Sequence, residues 1–241
     1  YDNIPVEPLR GAGSASAIVE SETPQTLLKQ RLIARGFNEA ITFSFVSPEQ
    51  QRLIDPEIEP IALQNPISSD LAVMRTSLIP GLLSAAAHNV NRQQTRVRLF
   101  ETGLRFLPNE SMQQTPMLAL LICGSRMPEG WSAKTEPVDF YDLKGELEAL
   151  LGAAEQPLTF RAMVRPGLHD GQTAEVRLGE QAVGVMGRLH PNAAKQLDLP
   201  DQTFVAELDL TAIASRAIPD YQEISRFPEV RRDLALIVKS E

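Results

Sequence analysis

The chain has 241 residues, of which 43% are hydrophobic, and a formal net charge of −8. That is enough to bury one large core, or one core with a small appendage. No run approaches the roughly twenty apolar residues of a membrane span and no charged-then-apolar signal segment opens the chain, so a soluble, cytoplasmic protein is expected. The acidic balance argues against a protein devoted to coating nucleic acid, while leaving room for a local basic surface.

Taken in chain order, the opening "YDNIPVEPLRGAGSASAIVE" is rich in Pro, Gly, Ser and Ala with little periodicity, and is expected to be a connector from an earlier domain. A first helix is predicted with Thr23 as N-cap and Pro24 at its first position. Leu27, Leu28, Leu32 and Ile33 would share one face, and Gly36 would stop it. The segment "EAITFSFV" has strand character. In "RTSLIPGLLSAAAHNVNRQ", Ile79, Leu83, Ala86 and Val90 follow helical spacing. Ser84, Ala85, Ala86 and Ala87 would let another element approach this helix closely, as a contact surface or as ordinary core packing.

Two long strands are predicted over Arg96–Leu107 and Met117–Gly124, followed by a helix starting at Asp139 with Phe140, Leu143, Leu147 and Leu150 on its buried side. From Leu158 to Leu210 the pattern is mostly strand, with a short helix after Pro191. Hairpin-linked strands outnumber strand–helix–strand crossovers, so the fold class is α+β: a largely antiparallel sheet flanked by helices. The chain has no initiating Met and its last stretch begins an apolar strand at Leu234–Val238, so a piece of a longer polypeptide is expected.

Few residues suggest chemistry. Cys123 is the only cysteine and sits in the apolar run "MLALLICG", which excludes an internal disulfide and fits a buried strand position. His88, His169 and His190 are far apart with no cysteine partners, so zinc is not expected. Asp139 suits a helix cap, and Asp142, Glu146 and Glu148 suit the solvated face of the same helix rather than a catalytic pair. "GAGS" at Gly11 lacks the preceding strand and following helix of a phosphate loop. "LHDGQ" around His169 and Asp170 reads as a turn between strands, and His190 before Pro191 as a helix cap or neighbour contact. No nucleophile with a nearby base stands out.

Five segments in order, "NPISSDLAVMRTSLIPGLL", "NRQQTRVRLFETGLRF", "VDFYDLKGELEALL", "GVMGRLHPNAAKQLDL" and "EISRFPEVRRDLALIV", resemble the β subunit of bacterial phenylalanyl-tRNA synthetase. The resemblance covers nearly the whole chain. It implies residues 1–20 as a connector from a B5-like domain and 21–218 as a catalytic-like core with the class II synthetase fold. Residues 219–241 would be a linker and the first strand of a ferredoxin-like anticodon-binding domain. It also implies an α2β2 heterotetramer in which the α subunit holds the aminoacylation site, with ATP and Mg2+ used by the whole enzyme and no cofactor in this piece. Editing and structural magnesium sites would lie upstream.

Departures from the class II pattern argue that this core is inactive. Phe100, Glu101, Gly103 and Phe106 keep the frame of an ATP-binding strand, but Leu107 stands at its phosphate-binding arginine and Asn109 at its final glutamate. An apolar side chain cannot offset phosphate charge or supply a guanidinium's forked donors. Glu207 and Asp209 fall where glycines would admit a nucleotide, and Ala212 where a second arginine would be; carboxylates there would repel a polyphosphate. "MRTS" resembles the start of a substrate-contacting segment, with Ser77 at its histidine position and Ile79 at its last serine.

What the resemblance leaves is assembly with the α subunit, through the dimerisation signature at "PQTLLKQRLIARGFNEAITFSF", where Phe43 replaces the usual proline. The contact candidates are Leu28, Leu32, Phe37, Phe43, Arg75, Leu82, Ala85 and Ala86. Arg226, Arg231 and Arg232 form the most basic stretch, near tRNA(Phe) or packed as a hinge. A different class of function, a residual amino-acid or adenylate-like binding module or enzyme in the degenerate cleft, stays open beside assembly.

Overall fold

A computed structural model describes residues 22–108, 113–131, 135–152, 154, 156–216, 218, 223 and 231–235. Helix α1 (Gln25–Ala34) starts one residue later than the cap pattern suggests, with Pro24 in the N-cap position and no side-chain cap. Thr23 instead donates its N–H to Ala214 O at 2.6 Å, tying the helix entry to the end of the core. Leu28 and Leu32 are buried, but Ile33 is exposed. One residue turns a helix by about 100°, which carries Ile33 off the narrow stripe that faces the sheet. Gly36 ends the helix at φ 82°, a left-handed conformation that costs glycine little.

Strands β1 (Asn38–Glu39) and β2 (Phe45–Val46) are all that pairs within the strand-like stretch; the residues between them form no ladder, and the chain bends at Ser44. Helix α2 (Pro48–Ile54) was not anticipated, although its signals are present. Ser47 accepts from Glu49 N at 3.2 Å, and Pro48 sits where a missing N–H does no harm. A 3-10 turn (Ser69–Leu71) and β3 (Val73–Met74) lead into α3 (Ile79–Val90), as the periodicity predicts.

The two long strands are β4 (Arg96–Leu107) and β5 (Gln113–Gly124), the second beginning four residues before its apolar run. Helix α4 (Phe140–Leu151) carries a full capping box. Asp139 accepts from Tyr141 N and Asp142 N, and the Asp142 carboxylate accepts from Asp139 N. We expect Asp139→Ala to cost about 1 kcal/mol in urea unfolding, the usual worth of a cap. Strands β6 (Leu158–Ala162), β7 (Leu168–Leu178), β8 (Gln181–Leu189), helix α5 (Pro191–Gln196), β9 (Thr203–Asp209) and a 3-10 turn (Ala212–Ala214) complete the described fold. His190 caps α5 through Nδ1, which accepts from Asn192 N at 3.2 Å.

The main sheet runs β1-β4-β5-β9-β8-β7-β6, and every pair in it is antiparallel except β1 with β4. Side chains alternate across it. Phe100, Leu118, Leu120, Ile122, Phe204 and Ala206 pack with α1 and α4 on one face. Val97, Leu121, Cys123 and Val205 pack with α3 on the other. Burial on both faces explains why β5 is an unbroken apolar run. It also pushes the Cys123 thiol up to about 11.

Two expectations fail locally. His169 lies in β7, not in a turn: its Nδ1 accepts from Gly171 N at 3.0 Å where the register shifts against β8, and the preceding turn is at Pro166–Gly167. Glu146 is buried rather than solvated. It pairs with Arg35 and with Arg98, whose guanidinium stacks 4.3 Å from the Phe37 ring centroid. The buried Arg98 and the exposed Arg35 together compensate its desolvation. Residues 231–235 carry no strand, and the rest of the predicted Leu234–Val238 strand, "GAGS" and Arg226 lie outside the described residues.

Candidate functional site

The second face of the sheet changes character toward one end. Beyond the apolar patch under α3, the same parity brings Glu101, Gly103 and Arg105 from β4, Thr115 from β5 and Glu207 from β9 onto this face. A short stretch, Arg75 to Leu78, crosses over them. Its four residues engage three buried carboxylates: Glu101 of β4, Asp55 just past α2, and Glu207 of β9.

Arg75 is 3% exposed, and its Nη1 donates to Glu101 Oε1 at 2.7 Å, while its Nε donates to Leu104 O at 2.9 Å. Thr76 Oγ1 donates to Asp55 Oδ2 at 2.8 Å, and Asp55 also accepts from Arg165 Nη2 at 2.8 Å. Gln51 completes this set by accepting from Thr76 N at 3.2 Å and donating to Thr76 Oγ1. Ser77 Oγ and Leu78 N both donate to Glu207 Oε1, at 3.0 and 2.6 Å. Glu207 therefore serves the start of α3, where free N–H groups favour a negative charge. Charges this deep persist only when paired and hydrogen-bonded, and nearly all of these are. The exceptions are Arg105 Nε and Thr115 Oγ1, buried with no hydrogen-bond partner and facing each other across the β4–β5 register.

Burial lifts the Glu207 carboxyl above its ordinary value of 4.5, with the Leu78 N–H and Arg165 acting the other way and Asp55 adding to the lift. The native state then holds this proton more tightly than the unfolded chain does. The stability it lends is fully present below pH about 4.5 and is lost as pH rises through the folded pKa. Glu207→Gln keeps an acceptor for Ser77 and Leu78 but has no proton to lose. Urea melts of both forms across that window should show the stability difference moving in favour of the variant as pH rises.

The predicted positions fall as follows. Leu107 is half-buried at the end of β4, and Asn109 lies outside the described residues. Glu207 is buried beneath Ser77 and Leu78 rather than facing an open cleft. Asp209 accepts from Thr211 N and Ala212 N at 2.9 and 3.0 Å, opening the last 3-10 turn, and Ala212 packs against the first core cluster. Of the contact candidates, Leu28, Leu32, Phe37, Arg75, Leu82 and Ala86 are buried inside the chain. A helix face that looks apolar in sequence is first used by its own sheet. Phe43 is exposed, and it lines a groove of about 940 Å³ together with Ile41, Leu53 and Ala85. Arg231 and Arg232 are exposed.

Sequence reasoning missed Gln51, Asp55, Arg165 and Thr42 as parts of this polar layer. Their partners are far along the chain, and only the isolated acid in "LFETGL" hinted that a cation must come to meet it. Among the described residues no group of three His, Cys, Asp or Glu side chains could hold a metal ion, and no helix is long and apolar enough to cross a membrane.

The sequence of this α+β chain matches a known family. The sequence model described as "Phenylalanyl tRNA synthetase beta chain CLM domain" matches residues 4–210, and the chain belongs to this family. It is similar to the phenylalanine–tRNA ligase beta subunits of Pseudomonas fluorescens (strain Pf0-1), 48% identical over 246 residues, and Hahella chejuensis, 49% identical over 243. That of Vibrio parahaemolyticus is 46% identical over 250 residues. These matches cover 99–100% of this chain but 31% of each relative, so the chain spans about a third of the proteins it resembles.

Proposed function

We propose that this chain is a non-catalytic core domain of phenylalanine–tRNA ligase that works by assembly with the catalytic α subunit. One observation carries the reading: the Arg75–Leu78 stretch spends its donors on the chain's own Glu101, Asp55 and Glu207 rather than presenting them to a polyphosphate. A Cβ at Gly103 would overlap Arg75 Nη2, so the space beside that glycine is taken by the chain itself. With Leu107 at the end of β4, these residues do not suit ATP. ATP and Mg2+ are then used elsewhere in the whole enzyme. In this reading residues 21–218 form a class II-like core, 1–20 enter it, and 219–241 lead toward an anticodon-binding domain. The holoenzyme is an α2β2 heterotetramer acting on tRNA(Phe) in the cytoplasm, with Arg226, Arg231 and Arg232 on the tRNA side.

Support for assembly comes from Ile41 and Phe43, 92% and 71% exposed, beside a groove that Leu53 and Ala85 share with Glu49, Gln50 and Asp70. Sedimentation of this chain mixed with a phenylalanine–tRNA ligase α subunit tests the proposal. Co-sedimentation is expected, and two independent boundaries would count against it. A second reading, a small anionic ligand held in the same polar layer, is favoured only by the unpartnered Arg105 Nε and Thr115 Oγ1.

A further inference from the structure

We propose that Arg35, Arg96 and Arg98, gathered where the end of α1 meets the start of β4, form a binding site for a small dianionic oxyanion of the inorganic-phosphate class. The cluster lies on the opposite face of the sheet from the Arg75–Leu78 stretch and does not depend on the assembly reading. Residues 96, 98 and 100 of β4 share one face by alternation, and Phe100 places that face under α1 and α4. Gly36, in its left-handed turn, brings Arg35 beside Arg96: a Cβ at Gly36 would lie 3.7 Å from Arg96 Nη1. Glu146 of α4 reaches into the same cluster. Its Oε2 accepts from Arg35 Nε, and its Oε1 lies 2.6 Å from Arg98 Nη2.

The charges of this cluster do not balance. Three guanidinium groups meet one carboxylate, which leaves a surplus of two positive charges. The other nearby acids are taken: Glu136, Asp139 and Asp142 pair with Arg126, and Glu39 pairs with Lys29. Arg98 is 6% exposed and stacked on the Phe37 ring, and its Nε and Nη2 are buried with no hydrogen-bond partner. Its ion pair with Glu146 therefore supplies charge without hydrogen-bond geometry. Arg96 is half-buried and spends only its Nε, on Arg126 O at 3.3 Å; its two terminal nitrogens have no partner among the described residues. Burial and the neighbouring Arg98 charge hold the Arg96 guanidinium below its ordinary pKa, with Glu146 acting the other way. Buried donors without a partner are rare in folded proteins, and a bound ion is one of the few things that accounts for them. Guanidinium forks match the oxygens of a phosphate, and a dianion matches the surplus where a chloride would cancel half of it. Arg35 and Arg96 would reach the ion, with Arg98 supplying charge from behind.

The test is isothermal titration of inorganic phosphate into the full-length beta subunit, with sodium chloride at matched ionic strength as the reference and the melting temperature as the check on folding. Binding by part-exposed arginines should be weak, with a dissociation constant of about 1 mM, out of reach of a micromolar nucleotide titration. Arg96→Gln should weaken it about tenfold, the worth of a hydrogen bond to a charged group. Arg35→Gln, at an exposed position, should give a loss of the same sign. Glu146→Gln removes the competing carboxylate but keeps an acceptor for the arginines, and should tighten binding severalfold. Arg161→Gln, exposed on β6 at the far edge of the sheet, should change nothing. Ribose 5-phosphate in place of phosphate separates the sources: equal binding assigns the site to phosphate monoesters, and loss of binding assigns it to the free ion. Phosphate heats no different from chloride, a loss in Arg161→Gln equal to that in Arg96→Gln, or weaker binding by a folded Glu146→Gln would overturn the site.

Discussion

Replacing Arg75 by methionine is expected to lower the folding stability of this chain by about 3–5 kcal/mol, the range for a buried ion pair that loses one partner. Glu101 would be left 2% exposed with only Thr42 to bond it, and Leu104 O would lose the Arg75 Nε donor. The methionine stem would fill most of the arginine's volume, so a cavity is not the main cost. The companion variant Arg75→Met with Glu101→Leu removes both charges, and should recover most of the loss because an apolar pair needs no compensation. Urea unfolding at neutral pH separates the two. Equal stability of Arg75→Met and the double variant would mean that the lost Leu104 contact, not the stranded carboxylate, dominates.

The second large effect is on association rather than folding. Ile41→Asp with Phe43→Asp should leave stability within about 0.5 kcal/mol, as is usual for exposed positions. In the full-length beta subunit it should weaken binding to the α subunit by on the order of a hundredfold or more. Two carboxylates would have to be dehydrated against an apolar surface with no cation in the segment Ala40–Val46 to meet them. Size-exclusion chromatography of co-expressed subunits reads this directly. The expected result is a separated pair of subunits where the parent protein elutes as one complex.

Much of the architecture was legible because it rests on local signals. The α4 start at Asp139, the 12-residue β4, the continuous apolar β5 and the cap at His190 each follow from capping chemistry or periodicity within a few residues. The helix α2 signals at Ser47 and Pro48 were equally local and simply went unused. What could not be read was the destination of charged side chains. Glu146 sits on α4 at a position indistinguishable in sequence from a solvated one, and only Arg98 from β4 and Arg35 beyond α1 make it a buried partner. Arg75 likewise looked available to a partner subunit, because its real partner, Glu101, is 26 residues away and was read as part of an inherited frame. The glutamate of "FETG" is that partner: it accepts from Thr42 and from Arg75 within the chain.

The measurement that bears most directly on the account is calorimetric titration of ATP with magnesium into this chain, with phenylalanine present, followed by an assay of phenylalanine-dependent ATP–pyrophosphate exchange. A sheet face on which Arg75, Glu101, Asp55 and Glu207 already bond within the chain should give no saturable heat and no exchange. Saturable ATP binding accompanied by exchange would contradict it, and would mean that the Arg75–Leu78 stretch gives up its internal carboxylates to a nucleotide.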